Sequence, residues 1–316
     1  MDVVLLFPGQ GSQKPGMARD LVDRPPARHV FDTVDRTLGV PLSSLAFNGP
    51  EDELTATQNA QPALLAHGAA IWAMTRDHLA PHVRAAAGHS LGEFTAYHAA
   101  GSLSLADAAT LVRRRGELMY DSGMRRPGAM AAILGLDEAK VEEACRRASV
   151  NGASVVPANY NTPEQLVISG EIAAVEHAME LAKELGAKRA VRLKVSGAFH
   201  SPLMEVARDG LSQALDKAEF RAPAFPVFSN VSAGAVTAPA EAQRLLLEQL
   251  TSPVRWTDIV RSLATAYPDA LFVEMGPGNV LTNLTRRIAP QIKSATCGTT
   301  AEVDHLLKTV SGCRSI

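Results

Sequence analysis

The apolar positions of the chain fall into two rhythms. Residues 2–7 are apolar after the first and stop at Pro8-Gly9-Gln10-Gly11-Ser12. A short unbroken apolar run suits a strand covered on both faces of a parallel sheet. Helical spacing follows over 27–38 and 63–78. The second helix is expected to open at Pro62, because proline fits a first turn. Residues 83–87 form another short apolar run, closed by Gly88. Residues 91–100 and 105–119 read as helices parted by Gly101. Such alternation predicts an α/β core with a mainly parallel sheet.

The middle of the chain has a different order. Residues 129–134 read as a strand and 137–148 as a helix capped by Asp137. Two strands, 155–159 and 165–169, flank the turn Tyr160-Asn161-Thr162-Pro163. An amphipathic helix over 172–185 ends at Gly186, and 189–195 alternates as a strand. The order βαββαβ is that of a ferredoxin-like unit; the alternative is that these elements extend the first sheet. Beyond it the α/β pattern resumes, with a helix at 207–215, a strand at 226–230, a helix at 240–250, a strand at 271–275 and a last clear helix at 281–288. The expected organisation is a large domain, 1–124 and 198–316, interrupted by a small domain, 125–197.

Composition narrows the class of protein. Of 316 residues, 46% are hydrophobic and 20% charged, a globular balance. Lys plus Arg is 31 and Asp plus Glu is 33, giving a net charge of -2. A general nucleic-acid binder carries a basic excess and stacking aromatics; aromatics here are 5%. The longest charge-free stretch, 54–75, is broken by Gln58, Asn59, Gln61, Pro62 and His67, so no membrane span is expected. Cys145, Cys297 and Cys313 are three in number and far apart, which makes neither a disulfide framework nor a zinc pattern. A reduced, cytoplasmic setting is expected.

The candidate chemistry starts at Gly88-His89-Ser90-Leu91-Gly92, which fits G-x-S-x-G. Alone the match is weak, since chance yields one in roughly every ten chains of this length. Its place between an apolar run and a helix is the setting of a nucleophile elbow, where a tight turn lifts the serine hydroxyl clear. A glycine-flanked helix cap is the alternative. Among nine histidines, His200 stands where the inserted unit returns to the main domain, a position from which it could face a cleft as base. His89 adjoins the serine, but its side chain should diverge from it. The N–H of Leu91 and an N–H from the Pro8-Gly9-Gln10-Gly11 loop are candidate oxyanion donors. That loop is no dinucleotide fingerprint, because the third glycine would fall at Lys14. Arg113-Arg114-Arg115 lies on the helix after the elbow. A helix turns about 100° per residue, so at most one or two of these face inward. Spacing alone favours a solvated run; a buried member would need a carboxylate, which a substrate could supply.

Phe7-Pro8-Gly9-Gln10-Gly11-Ser12-Gln13, the Gly88–Gly92 elbow, Ala198-Phe199-His200-Ser201 and Glu274-Met275-Gly276-Pro277-Gly278 occur together and in order. With them the chain resembles the malonyl-CoA:acyl-carrier-protein transacylases of type II fatty-acid synthesis and their polyketide acyltransferase relatives, over residues 3 to 290. The resemblance implies an α/β-hydrolase-like large domain and a ferredoxin-like small one. It implies Ser90 as nucleophile, His200 as its partner, and the backbone amides of Gln10 and Leu91 as oxyanion hole. It assigns Arg115 to the substrate carboxylate and places Gln249 near the active histidine, with His89 in support. It implies malonyl-CoA and acyl carrier protein as partners, coenzyme A as product, no cofactor or metal, and a monomer. Phe199, before the histidine, is similar to malonyl-selective members. Two places depart from the family pattern: the basic Met124-Arg125-Arg126-Pro127, and His98 where relatives tend to be apolar.

Within that resemblance, a stand-alone polyketide acyltransferase and a malonate decarboxylase subunit are alternatives to fatty-acid synthesis. A serine thioesterase on the same elbow is the alternative outside it. Acidic carriers would favour a basic rim, for which Arg113, Arg125, Arg126, Lys188, Arg189, Arg286 and Arg287 are candidates.

Overall fold

The strand at residues 2–7 sits where its pattern demands. In the computed structural model, which describes residues 1–150 and 152–312, β1 (Val3–Phe7) is buried along its whole length. Its side chains alternate between two cores. Val3, Leu5 and Phe7 pack with Leu64, Leu65 and Ile71, whereas Val4 and Leu6 pack with Trp256, Ile259 and Leu263. Helices therefore cover both faces of the sheet, which explains the unbroken apolar run.

The remaining strands are β2 (Val83–Gly88), β3 (Gly128–Leu134), β4 (Val155–Thr162), β5 (Gln165–Glu171), β6 (Arg189–Arg192), β7 (Val227–Phe228), β8 (Ala235–Val236), β9 (Leu271–Met275) and β10 (Ser294–Cys297). Among the described residues, six form the larger sheet in the order β10-β9-β1-β2-β7-β8. All its pairings are parallel except the β7–β8 hairpin. The other four form a separate antiparallel sheet, β4-β5-β3-β6. Its helices, Glu138–Ala148 and Ile172–Glu184, share a core of their own with Ala131, Ile133 and Ile168. That is the ferredoxin-like arrangement, beside an α/β-hydrolase-like sheet. The insertion does not extend the main sheet. The one isolated β-bridge among the described residues, Asn159 with Val254, ties the inserted segment to the stretch before the helix Trp256–Ala266 and does not join the two sheets.

The entry and exit of the inserted segment lie side by side. A Cβ on Gly123, near the end of the helix Leu105–Arg125, would sit 2.0 Å from the Ser196 carbonyl oxygen. This close approach brings residues 198–200 back to the larger sheet beside the point where the chain left it.

Several elements differ from the expected pattern. The helix expected to begin at Pro62 begins at Thr57 and runs to Leu79. A proline inside a helix leaves the carbonyl four residues earlier without its N–H donor. Here that carbonyl belongs to Gln58, and Arg113 Nη1 donates to it at 3.2 Å. The β4–β5 turn is shorter than expected, because Tyr160 and Thr162 pair with Leu166 and Gln165 across a bulged ladder. Strand pairing ends early at Arg192 and covers only Val227–Phe228 of the 226–230 run. Helices Leu42–Asn48, Glu51–Thr55, Trp256–Ala266 and Thr300–Gly312, and strand β10, are additional to the pattern. Cys145 and Cys297 are buried and free, and Cys313 lies outside the described residues. No helix among the described residues is long and apolar enough to cross a membrane.

The contact between the helices Thr57–Leu79 and Leu105–Arg125 depends on Gly116. A Cβ there would lie 2.7 Å from Gln58 Cα and 2.8 Å from the Thr57 carbonyl oxygen. Both are backbone atoms and cannot rotate away. Gly116→Ala should lower stability by about 1–3 kcal/mol, read as a reduced urea midpoint with an unchanged slope. A midpoint equal to that of the parent protein would refute this contact.

Candidate active site

The turn after β2 is tight. Ser90 takes φ 52°, a left-handed conformation that non-glycine residues rarely adopt. Both flanking glycines are required by space. A Cβ on Gly88 would fall 1.8 Å from the Gly92 carbonyl carbon, and one on Gly92 would fall 2.1 Å from the Phe7 carbonyl oxygen. Asn230 clamps the turn from the end of β7. Its Oδ1 accepts from the Ser90 N–H at 2.7 Å, and its Nδ2 donates to the Gly88 carbonyl at 2.7 Å. The G-x-S-x-G segment is therefore an elbow and not a simple helix cap.

His200 reaches the serine from the returning chain, itself at φ 56°. Its Nε2 lies 2.8 Å from Ser90 Oγ. Its Nδ1 lies 2.9 Å from the Gln249 carbonyl and 3.2 Å from the Ser252 carbonyl. Carbonyl oxygens only accept, so Nδ1 carries the proton and Nε2 is left to accept from the serine hydroxyl. Burial, and next the Arg115 charge, push the His200 pKa down to about 3, which keeps the ring neutral. His89 diverges from the serine, as expected. Its Nε2 pairs with Asn161 Oδ1 of the inserted domain at 2.8 Å, and its ring packs 5.5 Å from Trp256.

The arginine run divides sharply. Arg113 and Arg114 pair with Glu117 at the surface, whereas Arg115 is 1% exposed. A buried guanidinium was expected to need a carboxylate, yet its bonds go to neutral groups. Nη1 donates to Gln61 Oε1 at 2.8 Å; Nη2 donates to Gln249 Oε1 at 2.9 Å and to Ser90 Oγ at 3.0 Å. Nε is buried without a partner among the described residues, and the group lies 5.6 Å over the Phe94 ring. Burial lowers its pKa to about 10, so it remains a cation at neutral pH. A full charge thus stands beside the serine with no anion bonded to it among the described residues.

These residues meet in a cavity of about 340 Å³, lined also by Gln10, Leu91, Met130, Phe199 and Lys194. Among the described residues, neither the Gln10 nor the Leu91 amide donates a hydrogen bond, so both are free to receive an oxygen. Gln10 Nε2 is tied to Thr57 Oγ1 at 3.2 Å, which fixes the loop. A separate groove of about 960 Å³, lined by Trp72, His98 and Phe225, contains none of this chemistry. Among the rim candidates, Arg113 bonds Glu117 and Asn59, Arg126 bonds Glu171, and Arg287 bonds Gln165.

Four participants were not evident from the sequence: Gln61, Glu93, Asn161 and Asn230. Glu93 had a local signal. Its helix, Gly92–Ala99, follows the elbow into the core and is buried except at His98, which takes the carboxylate inside with it. The other three act on partners 54 to 142 residues away, and nothing near them marks the contact.

A serine on a strand–turn–helix elbow, bonded to a neutral histidine in an α/β-hydrolase-like sheet, defines the class of α/β enzymes that attack acyl groups through a serine hydroxyl. The family model for the acyl transferase domain matches residues 4–306, and the chain belongs to that family. A malonyl CoA-acyl carrier protein transacylase of Bacillus subtilis is 43% identical over 310 residues, covering 98% of this chain and 97% of the relative. The crystal structure of an acyl-carrier-protein-S-malonyltransferase from Bartonella henselae matches with a TM-score of 0.93 and 42% identity, covering 98% of this chain and all of that one. A malonyl-transacylase solved in complex with its type II polyketide acyl-carrier protein matches with a TM-score of 0.93 and 39% identity, over 98% of this chain and 100% of that one.

The neutral His200 makes a pH prediction. With its pKa lowered from 6.5 to about 3, the ring stays unprotonated throughout the range above that value. Inactivation by a neutral organophosphate should show no loss governed by an ordinary imidazole between pH 7.5 and 5.5. A rate that halves near pH 6.5 would contradict this environment for His200.

Proposed function

We propose that this chain moves a malonyl group from malonyl-CoA to the phosphopantetheine thiol of an acyl carrier protein, for fatty-acid synthesis, through a malonyl ester of Ser90. One observation carries the reading: the Arg115 cation is buried, bonds no anion among the described residues and donates to Ser90 Oγ at 3.0 Å. An acyl group that brings its own carboxylate satisfies that cation by charge-assisted hydrogen bonds, whereas an acetyl group leaves it unmatched.

In the first step Ser90 Oγ attacks the thioester carbon, and His200 Nε2 takes the hydroxyl proton. The amides of Gln10 and Leu91 receive the oxyanion. The carbon–sulfur bond then breaks, and the thiolate of coenzyme A leaves with the proton from His200. In the second step the carrier's thiol gives its proton to His200 and attacks the ester carbon. The Ser90 oxygen leaves and recovers that proton. Gln249 supports the exchange twice: its backbone carbonyl holds His200 Nδ1, and its side chain holds Arg115. His89 ties the elbow to the inserted domain. Malonyl-CoA and coenzyme A are substrate and product, and the steps as written call on no resident cofactor or metal.

We assign 1–124 and 198–316 to the catalytic domain and 125–197 to the small domain that walls one side of the cleft. The enzyme is read as a cytoplasmic monomer, in keeping with the unpaired, buried Cys145 and Cys297.

Ser90→Ala should abolish the radiolabelled malonyl-enzyme; label that persists would remove Ser90 from the role of nucleophile. Arg115→Ala should lower kcat/KM for malonyl-CoA about 10- to 100-fold, the worth of one lost charged hydrogen bond, and shift preference toward acetyl-CoA. Unchanged selectivity would remove the carboxylate role. Turnover with and without carrier protein separates transfer from hydrolysis, since a thioesterase would release malonate at the same rate in both. Rates with fatty-acid and polyketide carriers would identify the recipient. If the basic rim steers docking, raised salt should slow transfer to the carrier, and a salt-independent rate would exclude steering.

A further inference from the structure

One buried ionisable group has no part in the steps above. Glu93 is 0% exposed, one residue beyond the elbow. Its Oε2 accepts from Gln249 Nε2 at 2.7 Å and from the Asn230 N–H at 3.0 Å, and its Oε1 is buried without a partner among the described residues. Gln249 Nε2 also donates to the Ser90 carbonyl at 3.0 Å, and Gln249 Oε1 accepts from Arg115 Nη2. A carboxylate and a carbonyl can only accept, and a guanidinium can only donate. The Gln249 amide therefore has a single orientation that satisfies all three.

The arrangement keeps a negative charge close to Arg115 without bonding it. A direct Glu–Arg pair would be strong, and a substrate carboxylate would have to displace it. With one amide between them, the guanidinium keeps an open donor face. We propose that Glu93 is a positioning residue, which acts through Gln249 to hold Arg115 ready for the carboxylate of the incoming acyl group. The proposal rests on the malonyl-transfer reading and adds to it the residue that sets the strength of the clamp. Glu93 touches neither the serine oxygen nor the acyl group.

The charged and titratable groups that bear on Glu93 are Arg115 and Tyr97. Burial holds the carboxyl up to about 7, offset in part by its bonds to Gln249 and Asn230 and by the Arg115 charge. Burial also raises Tyr97 far above the physiological range. Arg115 stays protonated below about 10, and His200 stays neutral above about 3. Between pH 6 and 8, Glu93 is the member of this group that changes state. As pH falls through about 7 the carboxyl takes a proton, and its hydroxyl competes with the Gln249 amide as a donor.

The test is Glu93→Gln, which keeps the shape and removes the charge. It should raise KM for malonyl-CoA about tenfold with a smaller change in kcat, the signature of lost uniform binding. The malonyl-to-acetyl ratio of kcat/KM should fall in step. In a Gln249→Met background the same change should have no further effect, because the connecting amide is gone. Should Glu93→Gln not fold, the parent enzyme supplies the measurement: its malonyl-to-acetyl ratio should fall as pH is lowered from 8 to 6. A merely structural carboxylate would lower kcat for both acyl groups alike and leave that ratio constant. An unchanged KM and ratio, a KM for malonyl-CoA that falls, or effects additive with Gln249→Met would each overturn the proposal. If Arg115→Ala loses malonyl preference while Glu93→Gln keeps it, only this inference fails. If the parent enzyme transfers no malonyl group, the functional reading fails first.

Discussion

The backbone of Ser90 is the constraint around which the rest is arranged. A left-handed serine is unfavourable alone and persists only where its surroundings over-determine it. Those surroundings come from four parts of the chain. Phe7 meets Gly92 at the end of β1, Gly88 closes β2, Asn230 clamps from the end of β7, and Gln249 bonds the Ser90 carbonyl. The parallel order β1-β2-β7 brings these carboxyl ends to one edge of the sheet, where open α/β sheets bind their ligands.

Around that turn the charges are unevenly matched. Most surface arginines, such as Arg24 and Arg244, have a carboxylate beside them. Arg115, the most buried of the run, bonds two glutamine oxygens and a hydroxyl. Removing a charge from water without pairing it costs several kcal/mol, so such a group persists where it has something to bind. Burial and the Arg115 charge also depress the basicity of His200, so the ring rests unprotonated with Nε2 bonded to the serine hydroxyl.

Much of the fold was legible in local pattern. The uniform burial of β1, the elbow between β2 and the helix Gly92–Ala99, and the βαββαβ order each follow from periodicity and breakers. The helix Trp256–Ala266 could also have been read, since Trp256, Ile259, Val260 and Leu263 hold helical spacing. Strand β10 could not. Its Ser-Ala-Thr-Cys has no apolar run, and at the sheet edge only its pairing with β9 defines it. The proline rule failed at Pro62 because a side chain 51 positions later supplies the missing donor to Gln58. Within the site, Ser90 and His200 stood out by local context. Three adjacent arginines could not be ranked from spacing, because which one turns inward depends on how Gly116 seats its helix against Thr57 and Gln58. Asn230 and Gln61 act only across long sequence separations and left no local mark.

The distance along the chain between Ser90 and His200 has a consequence for how the site assembles during folding. Ser90 and His200 are 110 positions apart, and the whole inserted domain lies between them. The bond from Gln249 to the Ser90 carbonyl spans 159 positions. Contacts of such long range close after local structure, since their loop entropy has to be overcome first. A nascent or partly folded chain therefore presents the elbow sequence without His200, the Gln249 amide or the seated Arg115 beside it. The hydroxyl, the imidazole and the guanidinium thus come into one cavity only once the chain on both sides of the insertion has come together.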